Sequence, residues 1–371
     1  MANDWIFTES ELRNSPSLRD GMKHKDELIL RRKGCDFIEK LSKPLDLPKL
    51  AIVSAQYYLH RFYMRQSFVR YDKFLVAAAC VLLGSKVEES PKKIGYIAKE
   101  YIAVRNIVEK DQVFAIQKHD PQVVASKIIS MEGVVLHTLA YDLTITHPYK
   151  FINEKVDKVM RLLQLPDDAA KRQCSKFKQV AWSFLNDSMY TCACLRAEPV
   201  DLAAAAVYLA GLYENYVPEE LCTAEGAPWW EVLSTPFHTL QDAATYLLSA
   251  YAEPYIDTQV LPASLAKLVL MFHPVRSAES PNHPAALVDA PVVGDASRST
   301  SSSKILAASP MCVTSPECGG SQGRSPIDPE FYQHEDSISA EKSAMTKVAY
   351  SSKKRSHEGE TVSRRVKTVY R

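Results

Sequence analysis

The usual signatures of catalysis are missing from this chain. None of G-x-G-x-x-G, G-x-x-x-x-G-K-[ST] and H-E-x-x-H occurs in it, and G-x-S-x-G occurs only as GGSQG (319–323), in a Ser/Pro-rich stretch without the strand and helix that present a nucleophile. Those patterns cradle phosphates, present a nucleophile or bind zinc, so the chain is expected to catalyse no reaction and to need no cofactor. Its eight cysteines (35, 80, 174, 192, 194, 222, 312 and 318) contain no C-x-x-C pair. Cys192 and Cys194 stand two apart on a predicted helix, where side chains do not face each other, which excludes a thiolate grip on metal. His60, His137 and His147 lack zinc spacing. Cysteines in apolar helical stretches are expected to pack as small hydrophobes. Long apolar runs are absent too. The charge-free ones, Phe74 to Gly84 among them, fall far short of the ~20 residues that span a bilayer. The opening MANDWIFTES has neither the basic nor the apolar part of a secretory leader, so an intracellular, reducing compartment is expected. No alternating β-branched run is long enough for a sheet.

What remains is helix. The 371 residues allow two ordinary domains and a tail, and 46% hydrophobic with 24% charged residues suits a soluble globular protein. From Asp26 to about Pro254 the apolar spacing is helical almost throughout. KLAIVSAQYYLHRFYM (49–64) carries a wide apolar stripe, and the next helix, about 72–87, is apolar nearly all round and belongs inside a bundle. Ser90 as N-cap and Pro91 at the first position predict a further helix, PKKIGYIAKEYIAV. Another covers about 122–140. LVAAACVLLG (75–84) aligns with LAAAAVYLAG (202–211), six positions in ten coinciding. Alanine-rich helices recur by chance, but each copy sits among other helical segments. The chain therefore predicts an all-α fold of two similar bundles joined near Tyr141 to His147. After about 258, Ser and Pro rise and apolar periodicity is lost, which predicts a disordered tail, with one short helix allowed at LPASLAKLVLMF (261–272).

One junction raises a functional question. The apolar helix ends in GSKVEESPKK (84–93), and Lys86 there opposes the negative end of the helix dipole. Glu132, between apolar neighbours in ISMEGVVLHTLAY, needs a partner or a role. If the two helices pack side by side, Lys86 and Glu132 present an ammonium and a carboxylate together. Such a pair grips an exposed turn of another chain's backbone, donating to carbonyls and accepting from N–H groups. An internal salt bridge or a helix cap is the competing reading.

These residues resemble the cyclin box, in particular the transcriptional cyclins of the T and K type. The resemblance runs over about residues 5 to 255 through WIFTESELRNSPS (5–17), LHRFYM (59–64), GSKVEESPKK, LTITHPYKF (143–151), AWSFLNDSMYTCACLRAEP (181–199) and Trp229–Trp230. It implies two tandem five-helix bundles: 1–22 an N-terminal extension, 23–142 the first cyclin box, 143–258 the second and 259–371 a disordered Ser/Pro-rich and basic tail. It also implies a regulatory subunit without catalytic residues. In that family the matching lysine and glutamate hold the kinase backbone leading into its regulatory αC helix, and these positions are Lys86 and Glu132. Val87, Leu136, Tyr141 and Leu143 correspond to apolar positions that pack on αC. The implied partner is a cyclin-dependent kinase of the transcription-elongation class. Its implied substrate is the C-terminal tail of RNA polymerase II, reached through the kinase. The second half has Tyr213 at the position repeating Lys86, so the grip is not duplicated.

Two rival readings compete with this one. A general-transcription-factor-like scaffold would carry a zinc ribbon and a basic face, whereas residues 1–260 hold 31 basic against 33 acidic side chains, poorly suited to nucleic acid. A splicing-associated cyclin of the L type would carry a long Arg–Ser run, which the tail lacks. In the tail, Lys353, Lys354 and Arg355 with Arg364 and Arg365 form a split basic cluster, a candidate nuclear-import signal. Ser280, Ser309, Ser315 and Ser325 each precede Pro and are candidate phosphorylation sites.

Overall fold

The computed structural model describes residues 5–108, 120–163, 167–213, 216–218, 221–252 and 261–273. Among these it contains twelve α-helices and no strand, as the absence of alternating patterns predicts. Two short helices open the described chain. α1 (Glu9–Leu12) begins with a capping box, in which Thr8 accepts from Glu11 N and Glu11 reaches back to Thr8 N. α2 (Pro16–Arg19) has Ser15 as N-cap and Pro16 in its first turn.

The first bundle comprises α3 (His24–Ser42), α4 (Lys49–Arg65), α5 (Lys73–Val87), α6 (Ile94–Val108) and α7 (Pro121–Thr138). α5 is capped by Asp72, whose Oδ1 accepts from Leu75 N at 2.9 Å. It is buried from Val76 to Ser85, as its apolar girth requires. Gly84 permits the closest approach. A Cβ there would meet Ala51 O of α4 at 2.8 Å. The expected start of α6 at Pro91 is corrected: the helix begins at Ile94. Ser90 N donates to Ser85 O at 2.8 Å, and Ser90 Oγ reaches the same carbonyl at 3.4 Å. The serine thus closes the end of α5 instead of capping α6.

The second bundle is built on α8 (Ile152–Leu163), α9 (Asp167–Ser188), α10 (Pro199–Leu212) and α11 (Phe237–Leu248), with a 3-10 turn at Trp229–Leu233 between the last two. α10 repeats the role of α5, and Leu202 to Gly211 are all buried. Gly211 again marks a close approach, here to the Trp229 ring, 2.6 Å from where a Cβ would lie. Cys192 and Cys194 lie in a 3-10 turn, Cys192–Leu195, rather than an α-helix. The segment for which the sequence allowed one short helix forms α12 (Ala263–Phe272), with Leu265, Leu268 and Val269 buried in the second core.

α4 belongs to both cores: Ala55, Leu59 and Phe62 pack in the first, Val53, Tyr57 and Met64 in the second. On its buried face, His60 Nε2 lies 3.0 Å from the Met189 carbonyl. A carbonyl only accepts, so Nε2 carries the proton; Nδ1 is buried without a partner. Burial, helped by the nearby Arg31 charge, lowers the His60 pKa to about 3. Arg31 itself pairs with Glu27 at 2.7 Å and donates to the carbonyls of His60 and Tyr63, both at 3.0 Å. That buried pair, joined by Ser15, ties the N-terminal extension to α3 and α4.

Candidate functional site

Two helix ends turn abruptly at the site, and both use left-handed backbone on residues other than glycine. At the end of α5, Glu89 has φ 53°. At the end of α7, Ala140 and Tyr141 follow each other at φ 51° and 59°. Tyr141 N donates to Leu136 O at 3.0 Å, the bond that closes a helix in this manner. Each such residue costs ~1–2 kcal/mol relative to a right-handed one. The double turn throws Tyr141 outward, 60% exposed, with its ring edge-on to His137 at 5.4 Å.

Between these ends, Lys86 Nζ donates to both oxygens of Glu132, at 2.7 and 2.9 Å. The two members differ in environment: the lysine side chain is 51% exposed, the glutamate side chain 10%. An ammonium has three protons and a carboxylate about four acceptor positions, so the pair keeps capacity for a further donor and a further acceptor. As a stabilising device it is weak, since an ion pair this open to water contributes ~0–1 kcal/mol. Val87 is exposed beside it, while Leu136 and Leu143 are half-buried against the first core. The sequence-derived set thus gathers at the ends of α5 and α7. Ile129, one of the apolar neighbours of Glu132, is not core but 50% exposed. It stands three residues before Glu132 and Leu136 four after, all on one helical face, and that spacing was the available signal.

A brace holds the α5 end in place. Ser54 of α4 donates to Glu88 Oε1 at 2.7 Å, and His147 Nε2 lies 3.4 Å from the same oxygen. The hydrogen bond from His147, with that of Ser54, outweighs burial and keeps the Glu88 carboxyl below the ordinary carboxylate range. The crossover between the bundles is tied down as well. Tyr58 donates to Leu143 O at 2.9 Å, Arg61 to Thr144 O at 3.2 Å, and Trp5 Nε1 to Asp142 Oδ2 at 2.7 Å. Arg61 and Arg65 cover the Trp5 ring, their guanidinium carbons 5.0 and 5.3 Å from its centre. Sequence reasoning names none of these braces; a lone tryptophan in a polar extension is the hint.

In the second half Tyr213, repeating the position of Lys86, is buried edge-on to Phe184, so no second ammonium stands there. The tail candidates Lys353, Lys354, Arg355, Arg364 and Arg365, and Ser280, Ser309, Ser315 and Ser325, lie outside the described residues.

The family model for the cyclin N-terminal domain matches residues 5–144. Cyclin-T1-2 of Arabidopsis thaliana is 35% identical over 252 residues, covering 67% of this chain and 51% of its own length. Human Cyclin-K is 32% identical over 252 residues, with 67% and 41% covered. Cyclin pch1 of Schizosaccharomyces pombe is 31% identical over 263 residues, with 70% and 72% covered. The chain belongs to the cyclin family, in its T/K-type branch. It spans about half the length of the T1-type relatives it matches, between 41% and 51%. A chain in the crystal structure of the yeast RNA Pol II CTD kinase CTDK-1 complex superposes with a TM-score of 0.53 at 17% identity, covering 76% of this chain and 87% of that one. At that identity the likeness is one of fold.

Proposed function

We propose that this chain is the regulatory subunit of a cyclin-dependent kinase and activates it by docking through the ends of α5 and α7. The observation that carries the reading is the Lys86–Glu132 pair, its ammonium exposed and its carboxylate buried, set among the apolar side chains of Val87, Ile129 and Tyr141. The pair supplies polarity for a partner's backbone, and its neighbours supply apolar area for a helix. Docking holds the kinase αC helix inward, so that its glutamate reaches the β3 lysine and the activation loop opens. The cyclin stabilises one of two states of its partner and performs no chemistry. The braces at Glu88 and Asp142 keep the site formed before the kinase arrives, which lowers the ordering cost of binding.

The finer reading is a kinase of the elongation class acting on the RNA polymerase II tail in the nucleus. It is supported by the T- and K-type relatives and by the fold shared with a chain of the yeast RNA Pol II CTD kinase complex. The proposed division places the first cyclin box at 23–142 and the second at 143–258, with α12 added to the second. The test is co-expression with elongation-class kinases and an assay on polymerase-tail repeat peptides. Full-length chain is expected to co-purify with one such kinase and raise its activity. Lys86→Glu and Glu132→Lys, with helical circular dichroism unchanged, are expected to lose both, since truncating or inverting a buried interfacial charge costs ~2–5 kcal/mol. Equal co-purification of either variant would remove the site assignment, and activation only on unrelated substrates would remove the polymerase reading.

A further inference from the structure

We propose that a cleft between α2 and the C-terminal end of α4 is a pocket for a phosphorylated side chain, taking a phosphoserine or phosphothreonine of a peptide. The cleft has a volume of about 320 Å³ and is lined by Arg19, Asp20, Arg65, Ser67 and Arg70 among others. Three arginines therefore line one cavity, with a single acidic residue beside them. Asp20 is fully engaged by Arg70, Oδ2 to Nε and Oδ1 to Nη2, both at 3.0 Å. The Arg19 side chain makes no hydrogen bond or ion pair among the described residues, and the Arg65 guanidinium lies 5.3 Å from the centre of the Trp5 ring. Three arginines against the one carboxylate leave a surplus of two positive charges at the cleft. A phosphate monoester at neutral pH carries about −1.5 to −2, which matches that surplus. Arginine suits the task because its planar fork donates two parallel bonds to phosphate oxygens.

The simpler account is that arginines compensate helix dipoles. Arg19 and Arg65 do close α2 and α4. Arg70 lies in the connection between α4 and α5, where there is no helix end to oppose, yet it lines the same cavity. Dipole compensation accounts for two of the three and the Asp20 ion pair for the third, but neither requires all three to line one cavity. The opposite alternative is a nucleic-acid surface, which needs a basic groove tracking the backbone and aromatic faces for stacking. Here the charge over residues 1–260 is 31 basic against 33 acidic, and the nearby Trp5 ring is covered by Arg61 and Arg65. One isolated phosphate fits this distribution; a polyanion does not. Val69, 61% exposed between Ser67 and Arg70, offers an apolar contact for the residue next to the phosphate, which favours a phosphopeptide over the free ion.

The pocket is at the far end of the first bundle from the Lys86 site. α4 and α5 pack against each other and are joined by residues 66–72, so they run antiparallel. The length of α5, about 20 Å at 1.5 Å per residue, separates the two sites, and both can be occupied together. In a kinase complex the pocket would retain a polypeptide already phosphorylated once. That use rests on the function proposed above; phosphate binding by the chain does not, so the two fail separately.

The test measures fluorescence anisotropy of a labelled peptide with one phosphoserine followed by proline, titrated with the full chain alone. The unphosphorylated parent peptide, inorganic phosphate and a single-stranded RNA are compared. The phosphopeptide is expected to bind about tenfold or more tighter than its parent, and Arg19→Ala to remove most of that difference, since charge-assisted bidentate bonds carry it. Arg19 is exposed, so its removal should leave the fold intact, and circular dichroism checks this. Asp20→Asn, which frees Arg70, is expected to tighten phosphopeptide binding several-fold. Equal binding of the two peptides, an unaltered Arg19→Ala variant, weaker binding by Asp20→Asn, or tighter binding of the RNA than of the phosphopeptide would each overturn the proposal.

Discussion

Replacing glycine by alanine at two positions of the first bundle should shift stability in opposite directions. At Gly84 a Cβ would lie 2.8 Å from Ala51 O, 3.2 Å from Ala55 N and 3.4 Å from Ala55 Cβ. Carbon contacts are comfortable near ~3.5 Å, so α5 must retreat by roughly half an ångström. Two of the three atoms belong to the α4 backbone and cannot rotate away. Overpacking of this kind costs ~1–3 kcal/mol, and the better helix propensity of alanine returns ~1 kcal/mol. The net expectation for Gly84→Ala is a loss of up to about 2 kcal/mol. At Gly133, within α7, nothing lies within 4 Å of the added methyl. Only the propensity acts there, so Gly133→Ala should gain ~0.5–1 kcal/mol. Urea unfolding of both variants reads the difference, with unchanged slope showing that stability alone has moved. Gly84 also stands two residues before Lys86, so retreat of α5 pulls the ammonium from Glu132 and should weaken kinase binding. Gly84→Ala as stable as Gly133→Ala would refute the claim that α4 and α5 meet backbone to backbone at this point.

Three further outcomes follow from the structure. His60, with its pKa lowered to about 3 by burial, is neutral when folded, while the unfolded chain binds a proton near 6.5; the unfolded state therefore gains protons as pH falls from 6.5 towards 3, and stability should drop over that window by on the order of 3 kcal/mol by pH 4.5. His60→Leu should flatten the curve there, and an equally steep curve would contradict the assignment. Ending the chain at residue 260 removes α12 and uncovers Leu265's site in the second core, so that truncation should melt lower than one ending at 273. The longer truncation should keep kinase activation and reduce nuclear accumulation, the latter because the basic cluster is lost; undiminished nuclear signal would remove the import reading. Ala78→Leu and Ala205→Leu, at fully buried positions of α5 and α10, should each cost ~1–3 kcal/mol in thermal or urea unfolding; parent-like melting of both would sink the two-core repeat.

The helices of both bundles were legible because their apolar spacing is strong, and the central pair because α5 and α10 are apolar all round. Lys86 and Glu132 stood out as charges in apolar company, and their meeting needed only that α5 and α7 be neighbours. Less visible was whatever depends on contacts distant in sequence. The start of α6 is hidden because Ser90 resembles an N-cap, and nothing local says that its hydroxyl faces back to Ser85. Ile129 looks like core because exposure at a partner-facing surface and burial in a bundle select the same residue type. The clamp of Trp5 by Arg61, Arg65 and Asp142 joins residues up to 137 positions apart, and the cleft of Arg19, Arg65 and Arg70 draws on two separate segments. Neither leaves a periodic trace.

The most direct measurement exchanges the two charges at the centre of the site. Lys86→Glu combined with Glu132→Lys restores an ion pair between α5 and α7 but reverses which member is exposed and which carbonyls and N–H groups it can meet. If the pair serves only to join the helices, the double variant recovers both stability and kinase co-purification relative to the single ones. If it grips a partner's backbone, as proposed here, unfolding returns to within ~0.5 kcal/mol of the parent while co-purification and kinase activation stay lost. Recovery of kinase binding in the double variant would contradict the account.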